Sequence, residues 1–450
     1  MACVPRIAIG NVQPHTCPQP ISWAAMAWWT AGGCQVQHFS SRCCHTPVDG
    51  ALSVTGQASR HLDSWLMSPD LCRACFLRGL GTSELAVIDG RFDQARQDND
   101  SQGGGSLDTV CEWLDVPKLG VIDVSRLQRE PWPSRPDVDG LLLDQVVDSE
   151  DYYYWKQRLS TAWNLPTLGG LEQRPDLRAA IAELPAGALL PETLCNELAA
   201  GFGLYAERVE LEALARGREF FGSPVVQSDD APEGVVVGKP FARRVVVAVA
   251  YDEAFHCYFP DMLDLLESLD AEVVDFSPMH DESLPTDVDL VYFGCGDVNR
   301  FAHELSENHC MMSSLRNHVC AGKRVYGDGG GLAYLSQFLQ TGDGQLVTMV
   351  GALPAIARAT PEHAKVKPVE VTLSQDSWLG PLGTSMRGYL NTHWSIVPHG
   401  PLQGLLSEPE HEFDLVGRYL AVGSRLQLNF ATRMDLLRGF VSNALSLPRV

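Results

Sequence analysis

Two passages of the chain have the form that chemistry at a sheet edge requires: a strand running through a short turn into a helix. In the first, the strand-like Arg6 to Gly10 continues into Asn11-Val12-Gln13-Pro14-His15-Thr16-Cys17-Pro18-Gln19-Pro20 before a helical stretch. A loop there cradles phosphates with successive backbone N–H groups, using glycines for the tight turn, a Lys for the outer phosphates and a Ser or Thr hydroxyl for magnesium. Pro14, Pro18 and Pro20 remove N–H donors and supply no charge. In the second passage, Tyr326-Gly327-Asp328-Gly329-Gly330-Gly331 leads from the strand Arg324 to Tyr326 into a helix expected over Leu332 to Leu339. Such a turn presents a nucleophile beside backbone amides that hold an oxyanion, but glycine has no side chain to acylate.

The thiols and acids offer other chemistry. Cys72 and Cys75 form a C-x-x-C and Cys43-Cys44 are adjacent, so metal ligation has to be weighed. Pro69 to Leu77 reads as an amphipathic helix, which makes Cys72 and Cys75 small packing residues instead of ligands. Asp49 and Asp89 lie near strand ends, where a lone carboxylate is more often a helix cap or a solvated loop residue than a cation ligand. No metal site is expected.

These residues need a sheet to position them. Apolar runs at Arg6 to Gly10, Gln35 to Phe39, Leu85 to Asp89 and Leu119 to Val124 alternate with helical stretches such as Ile21 to Thr30 and Leu107 to Leu114. That alternation predicts an α/β fold with a parallel sheet covered by helices. Gln97 to Gly105 is loop-like, Pro131 to Tyr154 follows no clear period, and Asp176 to Arg216 is helical with breaks at Pro185 and Pro191. A linker at 223–242 separates a first domain, 1–222, from a second, 243–450. The second opens with Arg244 to Ala250 as a buried strand, then Pro260 to Leu269 as a helix, with Glu272 to Phe276 and Val288 to Phe293 as further strands.

Composition bounds what such a protein can do. With 450 residues, 45% hydrophobic and 20% charged, the chain is globular, and no apolar run approaches the ~20 residues of a membrane span. A formal charge of -22 repels a phosphate backbone, so nucleic acid is not an expected partner. The 13 cysteines are odd in number and follow no disulfide framework, and Met1 to Arg6 leads straight into a strand without a targeting segment. A cytoplasmic protein with reduced thiols and no membrane association is expected.

The second half resembles a class I glutamine amidotransferase domain of the cobyrinic acid synthase type. The resemblance is carried by Asp252-Glu253-Ala254-Phe255, Tyr258-Phe259-Pro260, Phe276-Ser277-Pro278, Tyr326 with Gly330-Gly331-Leu332 and Tyr334-Leu335, and Met349 to Pro354. Leu379-Gly380-Pro381, Gly383-Thr384 and Arg387-Gly388 extend it. The first half is similar to the ATP-dependent synthetase domain of the same family through Ser59-Arg60, Leu62-Asp63, Trp65-Leu66-Met67, Val87-Ile88-Asp89-Gly90 and Ser106. The whole chain therefore resembles the cobyrinate a,c-diamide synthase family. That resemblance implies a P-loop-NTPase-like domain, which activates corrin acetate carboxylates with ATP and Mg2+, joined to a domain that releases ammonia from glutamine.

Position by position, the resemblance also implies what is missing. Pro18 stands where the family has the P-loop Lys, with His15 and Cys17 at its two glycines. Ser40, Cys44 and Pro47 replace a Lys and two aspartates. Gly329 stands at the Cys nucleophile, and Gln427, in Leu426-Gln427-Leu428-Asn429-Phe430, at the His base, where an amide cannot accept a proton near neutrality. Cys295, in Phe293-Gly294-Cys295-Gly296, would lie near the oxyanion side of the pocket. It reads as a packing residue, His393 as a structural histidine and Arg387 as an ion-pair anchor. The expectation is a family member without either half-reaction, needing no cofactor, whose candidate ligand cleft retains Ser59, Arg60, Asp63, Asp89, Arg387 and His393. A corrinoid or other tetrapyrrole, an active paralogue or a second copy of the chain would be its partner. The alternative is an active ATP- and glutamine-dependent amidoligase with a rearranged site, in which Cys295 replaces the lost nucleophile.

Overall fold

Strands buried on both faces are apolar almost throughout, and Ile7, Ala8 and Ile9 with Ala86, Val87 and Ile88 are fully buried, as a parallel sheet covered by helices demands. The computed structural model describes residues 4–14, 19–44, 49–93, 104–185, 187–217, 244–360 and 366–441. The chain divides into two compact units, Met1–Val235 and Val236–Val450. The linker expected at 223–242 lies outside the described residues, as does most of the Gly-rich stretch, 97–103.

The first unit contains β1 (Arg6–Asn11), β2 (Val36–Ser40), β3 (Arg60–His61), β4 (Leu85–Arg91), β5 (Lys118–Asp123), β6 (Gly140–Val146) and β7 (Thr167–Glu172). They form one sheet in the order β3-β2-β4-β1-β5-β6-β7, with every pair parallel. Parallel neighbours need crossovers, supplied or covered by α1 (Gln19–Ala31), α2 (Gly50–Thr55), α3 (Pro69–Leu80), α4 (Leu107–Leu114), α5 (Val124–Leu127), α6 (Ser149–Trp163), α7 (Pro175–Ala182), α8 (Glu192–Gly203) and α9 (Arg208–Arg216). Ligands of open α/β sheets sit beyond the carboxyl ends of the strands where the order reverses, here around β1, β4 and β2.

Helix α3 buries both Cys72 and Cys75 against the unit's interior, and burial pushes the Cys72 thiol up to about 12. The stretch 131–154 contains regular structure that its sequence hides. Leu141 to Leu143 form the buried middle of β6, and Asp148 caps α6 by accepting from Asp151 N–H. Three adjacent tyrosines obscure the helical period of α6. Only Tyr152 turns inward with Trp155 and Leu159, stacking on Tyr205 at 4.2 Å, while Tyr153 and Tyr154 stay exposed.

The second unit contains β8 (Val246–Ala250), β9 (Glu272–Phe276), β10 (Leu290–Phe293), β11 (Arg324–Asp328), β12 (Ser336–Gln340), β13 (Leu346–Thr348), β14 (Leu353–Ala359), β15 (Val366–Thr372), β16 (Ser385–Asn391), β17 (Trp394–Pro398), β18 (Gln403–Gly404), β19 (Leu415–Arg418), β20 (Ala421–Ser424) and β21 (Leu426–Gln427). Its helices are α10 (Pro260–Ser268), α11 (Ala302–Glu307), α12 (His309–Cys320), α13 (Gly330–Leu335) and α14 (Met434–Val441). The main sheet runs β18-β19-β20-β11-β10-β8-β9, parallel from β20 to β9 with an antiparallel edge at β18 and β19. Two smaller sheets, β13-β12-β14-β17 and β15-β16-β21, complete it. The helix expected over Leu332 to Leu339 stops at Leu335. Ser336 turns extended at ψ 164° and its hydroxyl donates back to Leu332 O, a local bond that competes with another helical turn.

Helix α2 approaches α1 so closely that a Cβ on Gly50 would lie 2.4 Å from Trp23 Cδ2. Trp23 is buried, so its ring has no room to retreat. Gly50→Ala is expected to lower stability by about 1–3 kcal/mol through overpacking, read as a lower denaturant midpoint at unchanged slope.

Candidate functional site

At the carboxyl end of β11 the chain reverses within one residue. Gly329 has φ 52° and ψ -101°, a conformation that costs a residue with a side chain about 1–3 kcal/mol. Its N–H donates to Ser424 O at 2.8 Å, and its carbonyl accepts from Ala333 N–H in the first turn of α13. The turn has the shape of a strand-to-helix nucleophile elbow, but its apex carries no side chain.

The space beside that apex is filled from the neighbouring strand end. A Cβ built on Gly329 would meet Cys295 Sγ at 2.8 Å, closer than two such atoms can approach. Cys295 is only 7% exposed. Burial pushes its thiol well above the ordinary range and the nearby Asp328 carboxyl adds to the rise, against opposing hydrogen bonds from Gly330 N–H and the Gln427 side chain. Asp328 is 1% exposed. Burial raises its carboxyl well above the usual range, while its hydrogen bond with Cys295 acts in the other direction. Its Oδ1 has no hydrogen-bond partner among the described residues. A thiol and a carboxyl, both with raised pKa, and an amide thus occupy the turn.

The sequence-selected Gln427 and Cys295 therefore come together with Gly329, and Asp328, not singled out from the sequence, joins them. His393 does not. It sits between β16 and β17, its carbonyl accepting from Thr360 N–H at 2.8 Å and its ring edge-on to Trp394. Burial lowers its pKa, partly offset by Asp297. His256 is lowered for the same first cause. No imidazole hydrogen-bonds the Cys295 thiol among the described residues. Arg387, half-exposed, pairs with Glu370 Oε2 at 3.1 Å across the β15–β16 ladder.

In the first unit the expected cleft residues divide. Asp63 was expected to face a ligand, and instead is fully buried. Its Oδ2 accepts from Cys43 N–H and its Oδ1 from Trp65 and Leu66 N–H, so it pins two backbone loops. The aliphatic stem of Arg60 packs over Gly79, 2.5 Å from where a Cβ there would be. Ser59 and Asp89 are joined by His38, a residue the sequence reading passed over because it stands inside a strand. His38 Nε2 lies 3.2 Å from Asp89 Oδ1 as an ion pair whose geometry does not make a hydrogen bond. His38 Nδ1 meets Ser59 Oγ at 2.9 Å, and Ser59 Oγ donates to Asp49 Oδ1 at 2.7 Å. Asp49 also caps α2 by accepting from Leu52 N–H. Burial alone would deprotonate His38, but Asp89 and then Asp49 outweigh it, and its pKa is raised. Its neighbour His61 goes the other way, lowered to about 3 by burial and by His38.

Two polar residues at this sheet edge are turned to protein partners: the Asp89 carboxyl lies 3.2 Å from His38 Nε2, and Gln13, at the entry to the phosphate-loop position, accepts from Asp123 N–H at 2.7 Å. Residues 15–18, with Pro18, lie outside the described residues. Among the described residues no group of three or more His, Cys, Asp or Glu side chains could hold a metal ion. No helix there is long and apolar enough to cross a membrane.

The sheet of the second unit, with a turn of this shape at the end of β11, belongs to the glutamine amidotransferase class: residues 246–400 match the CobB/CobQ-like glutamine amidotransferase domain. The likeness extends over both units. Cobyrinate a,c-diamide synthase of Dehalococcoides mccartyi strain CBDB1 is 26% identical over 461 residues, covering 97% of each chain. The Salmonella typhimurium enzyme of that name is 25% identical over 361 residues, covering 78% of this chain and 77% of its own. A crystal structure of a glutamine amidotransferase superposes on 43% of this chain at 14% identity and a TM-score of 0.34. Over both units the chain is similar to the cobyrinate a,c-diamide synthases, and within the second unit to the CobB/CobQ-like amidotransferase domain.

Asp328 gives the site a measurable signature. Its folded pKa is raised, so the stability that its neutral form contributes is present below the ordinary carboxylate range and is lost as pH climbs toward the raised value. Asp328→Asn, which cannot ionise, should match the parent below the ordinary carboxylate range and exceed it increasingly as pH rises above that range, by at most about 1.4 kcal/mol per pH unit. Denaturant titrations of both proteins across that range check the sign and the slope.

Proposed function

We propose that this chain is a member of the corrin-amidating family that performs neither half-reaction and serves, in the cytoplasm, as a tetrapyrrole-binding protein or as the partner of an active paralogue. The observation that carries this reading is the Cys295 sulfur, 2.8 Å from where a side chain at Gly329 would begin. The place of a nucleophile is filled by a buried thiol whose raised pKa keeps it protonated, and the thiolate is the reactive form. Gln427 beside it cannot act as a base. In the first unit, the His38–Asp89 pair at the carboxyl end of the sheet argues in the same direction for the ATP-dependent step.

A second reading has one observation in its favour. The same sulfur lies at the first turn of α13 and is hydrogen-bonded by Gly330 N–H, so a ligand that deprotonated it would find a nucleophile at the elbow. In that case Cys295 would be the displaced catalytic thiol of a working amidoligase.

Glutamate release separates the two. The unmodified protein incubated with glutamine should release none above background; robust release abolished by Cys295→Ala would replace the first reading with the second. Gly329→Cys with Gln427→His should not restore hydrolysis, because the new Cβ meets Cys295 Sγ. Adding Cys295→Ala to that pair clears the space.

For the first unit, calorimetric titration with ATP and magnesium is expected to show no binding in the micromolar range. Clear one-site binding would reverse the reading of the phosphate loop and of the His38–Asp89 pair together.

A further inference from the structure

Cys295 has a second neighbour that the glutaminase chemistry does not involve. Cys257, on the segment between β8 and α10, pairs with it in an isolated antiparallel bridge. Cys257 N–H donates to Cys295 O at 3.0 Å, and Cys295 N–H donates to Cys257 O at 3.2 Å. Reciprocal bonds of this kind define directly opposed residues, with α-carbons about 5.5 Å apart. Directly opposed side chains leave the same face of the ladder. That separation falls inside the roughly 4.4–6.8 Å window over which a disulfide closes without backbone movement. The two sulfurs also feel each other electrostatically, Cys257 being among the groups that raise the Cys295 thiol. Their exposures differ: Cys257 is partly accessible while Cys295 is buried.

We propose that Cys257 and Cys295 are a redox modification site that closes to a cross-strand disulfide on meeting a small-molecule disulfide of the glutathione type. The accessible Cys257, as thiolate, attacks one sulfur of the oxidant; the oxidant's S–S bond breaks and one small thiolate leaves. Cys295 sulfur then attacks Cys257 Sγ in the mixed disulfide and expels the second small thiolate, which takes up the proton that Cys295 gives up. Two protein thiols are oxidised, and one external disulfide is reduced to two thiols. A part-exposed pair of this kind is labile and reversible, unlike a buried structural bridge.

The sulfur that would be bonded is the one beside Gly329, so the redox state of this pair is coupled to the apex of the elbow. This holds whether or not the chain hydrolyses glutamine.

The test uses the full chain in glutathione buffers of rising oxidised fraction, quenched with acid, alkylated and digested with trypsin. Both thiols fall in one fragment, Val245 to Arg300, which has no internal Lys or Arg. The expected product is that fragment unalkylated and lighter by two hydrogen atoms, restored by dithiothreitol. Cleavage at Glu267, Glu272 and Glu282 should leave two pieces held only by the disulfide. In Cys295→Ala the reaction should stop at a mixed disulfide on Cys257. The proposal is overturned if the fragment keeps two alkylated cysteines in a buffer that glutathionylates the exposed Cys310 and Cys320. Bonding of Cys257 to another cysteine, or an unmodified Cys257 in the variant, overturns it equally.

Discussion

The second unit depends on a turn that leaves no room for a side chain. For β11 to pass directly into α13, Gly331 must lie against β10, where a Cβ would sit 2.5 Å from that of Phe293, and Gly327 against Gly331 itself. This close approach lets a short helix cover the middle of the sheet and fully buries Leu332, Ala333, Tyr334 and Leu335. The apex between them, Gly329, then carries a backbone conformation that only glycine adopts without strain. A void at the apex would forfeit packing on every side, and the Cys295 sulfur prevents it. Turn and thiol are complementary, because the glycine makes space that the cysteine takes.

The polar groups around the turn follow from the same closeness. Asp328 is the last residue of β11 and is carried into the interior by the strand, so burial raises its carboxyl pKa, and it hydrogen-bonds with Cys295. The first unit solves a related problem with charge. Asp49 and Asp89 converge near the carboxyl ends of β2 and β4, and His38 bridges them through Ser59. The acids beside His38 raise its pKa against burial, whereas His61, lacking an acid among the groups that shift it, is lowered to about 3. Burial is common to both histidines, and the carboxylates decide the sign.

What could be read from the sequence divides along the same lines. Of the first sheet, β1, β2, β4 and β5 were visible because burial on both faces makes them continuous apolar runs, whereas β3, β6 and β7 were not; α4 was legible from Leu107 to Leu114 because its apolar residues repeat at helical spacing. The elbow was legible from its glycines. The identity of the filler was not, since nothing in Phe293-Gly294-Cys295-Gly296 says that this thiol reaches the turn of another strand. His38 was hidden for a similar reason: a histidine inside a strand reads as a core residue until Asp89 and Ser59, 51 and 21 positions away, are brought beside it. Asp63 misled in the opposite sense, because a carboxylate in a motif suggests a ligand while its lone pairs are spent on three backbone amides. Pairings of high sequence separation are set by the sheet order, which local periodicity does not encode.

On the proposed reading, a fold that persists without its catalytic residues has a physical basis. A nucleophile at position 329 would hold a side chain in a backbone conformation that costs about 1–3 kcal/mol, and glycine removes that cost. A cation-binding cluster keeps carboxylates close together without a partner until its ion arrives, and here His38 Nε2 lies 3.2 Å from Asp89. Functional sites are drawn from arrangements that strain the scaffold, so exchanging them for a small residue, an amide or an internal ion pair takes nothing from the apolar sheets. The residues that build the two main sheets, among them Val87, Leu142 and Val291, are fully buried. Stability therefore favours glycine over a side chain at 329, and the packing of the Cys295 sulfur against the turn constrains this corner of the molecule.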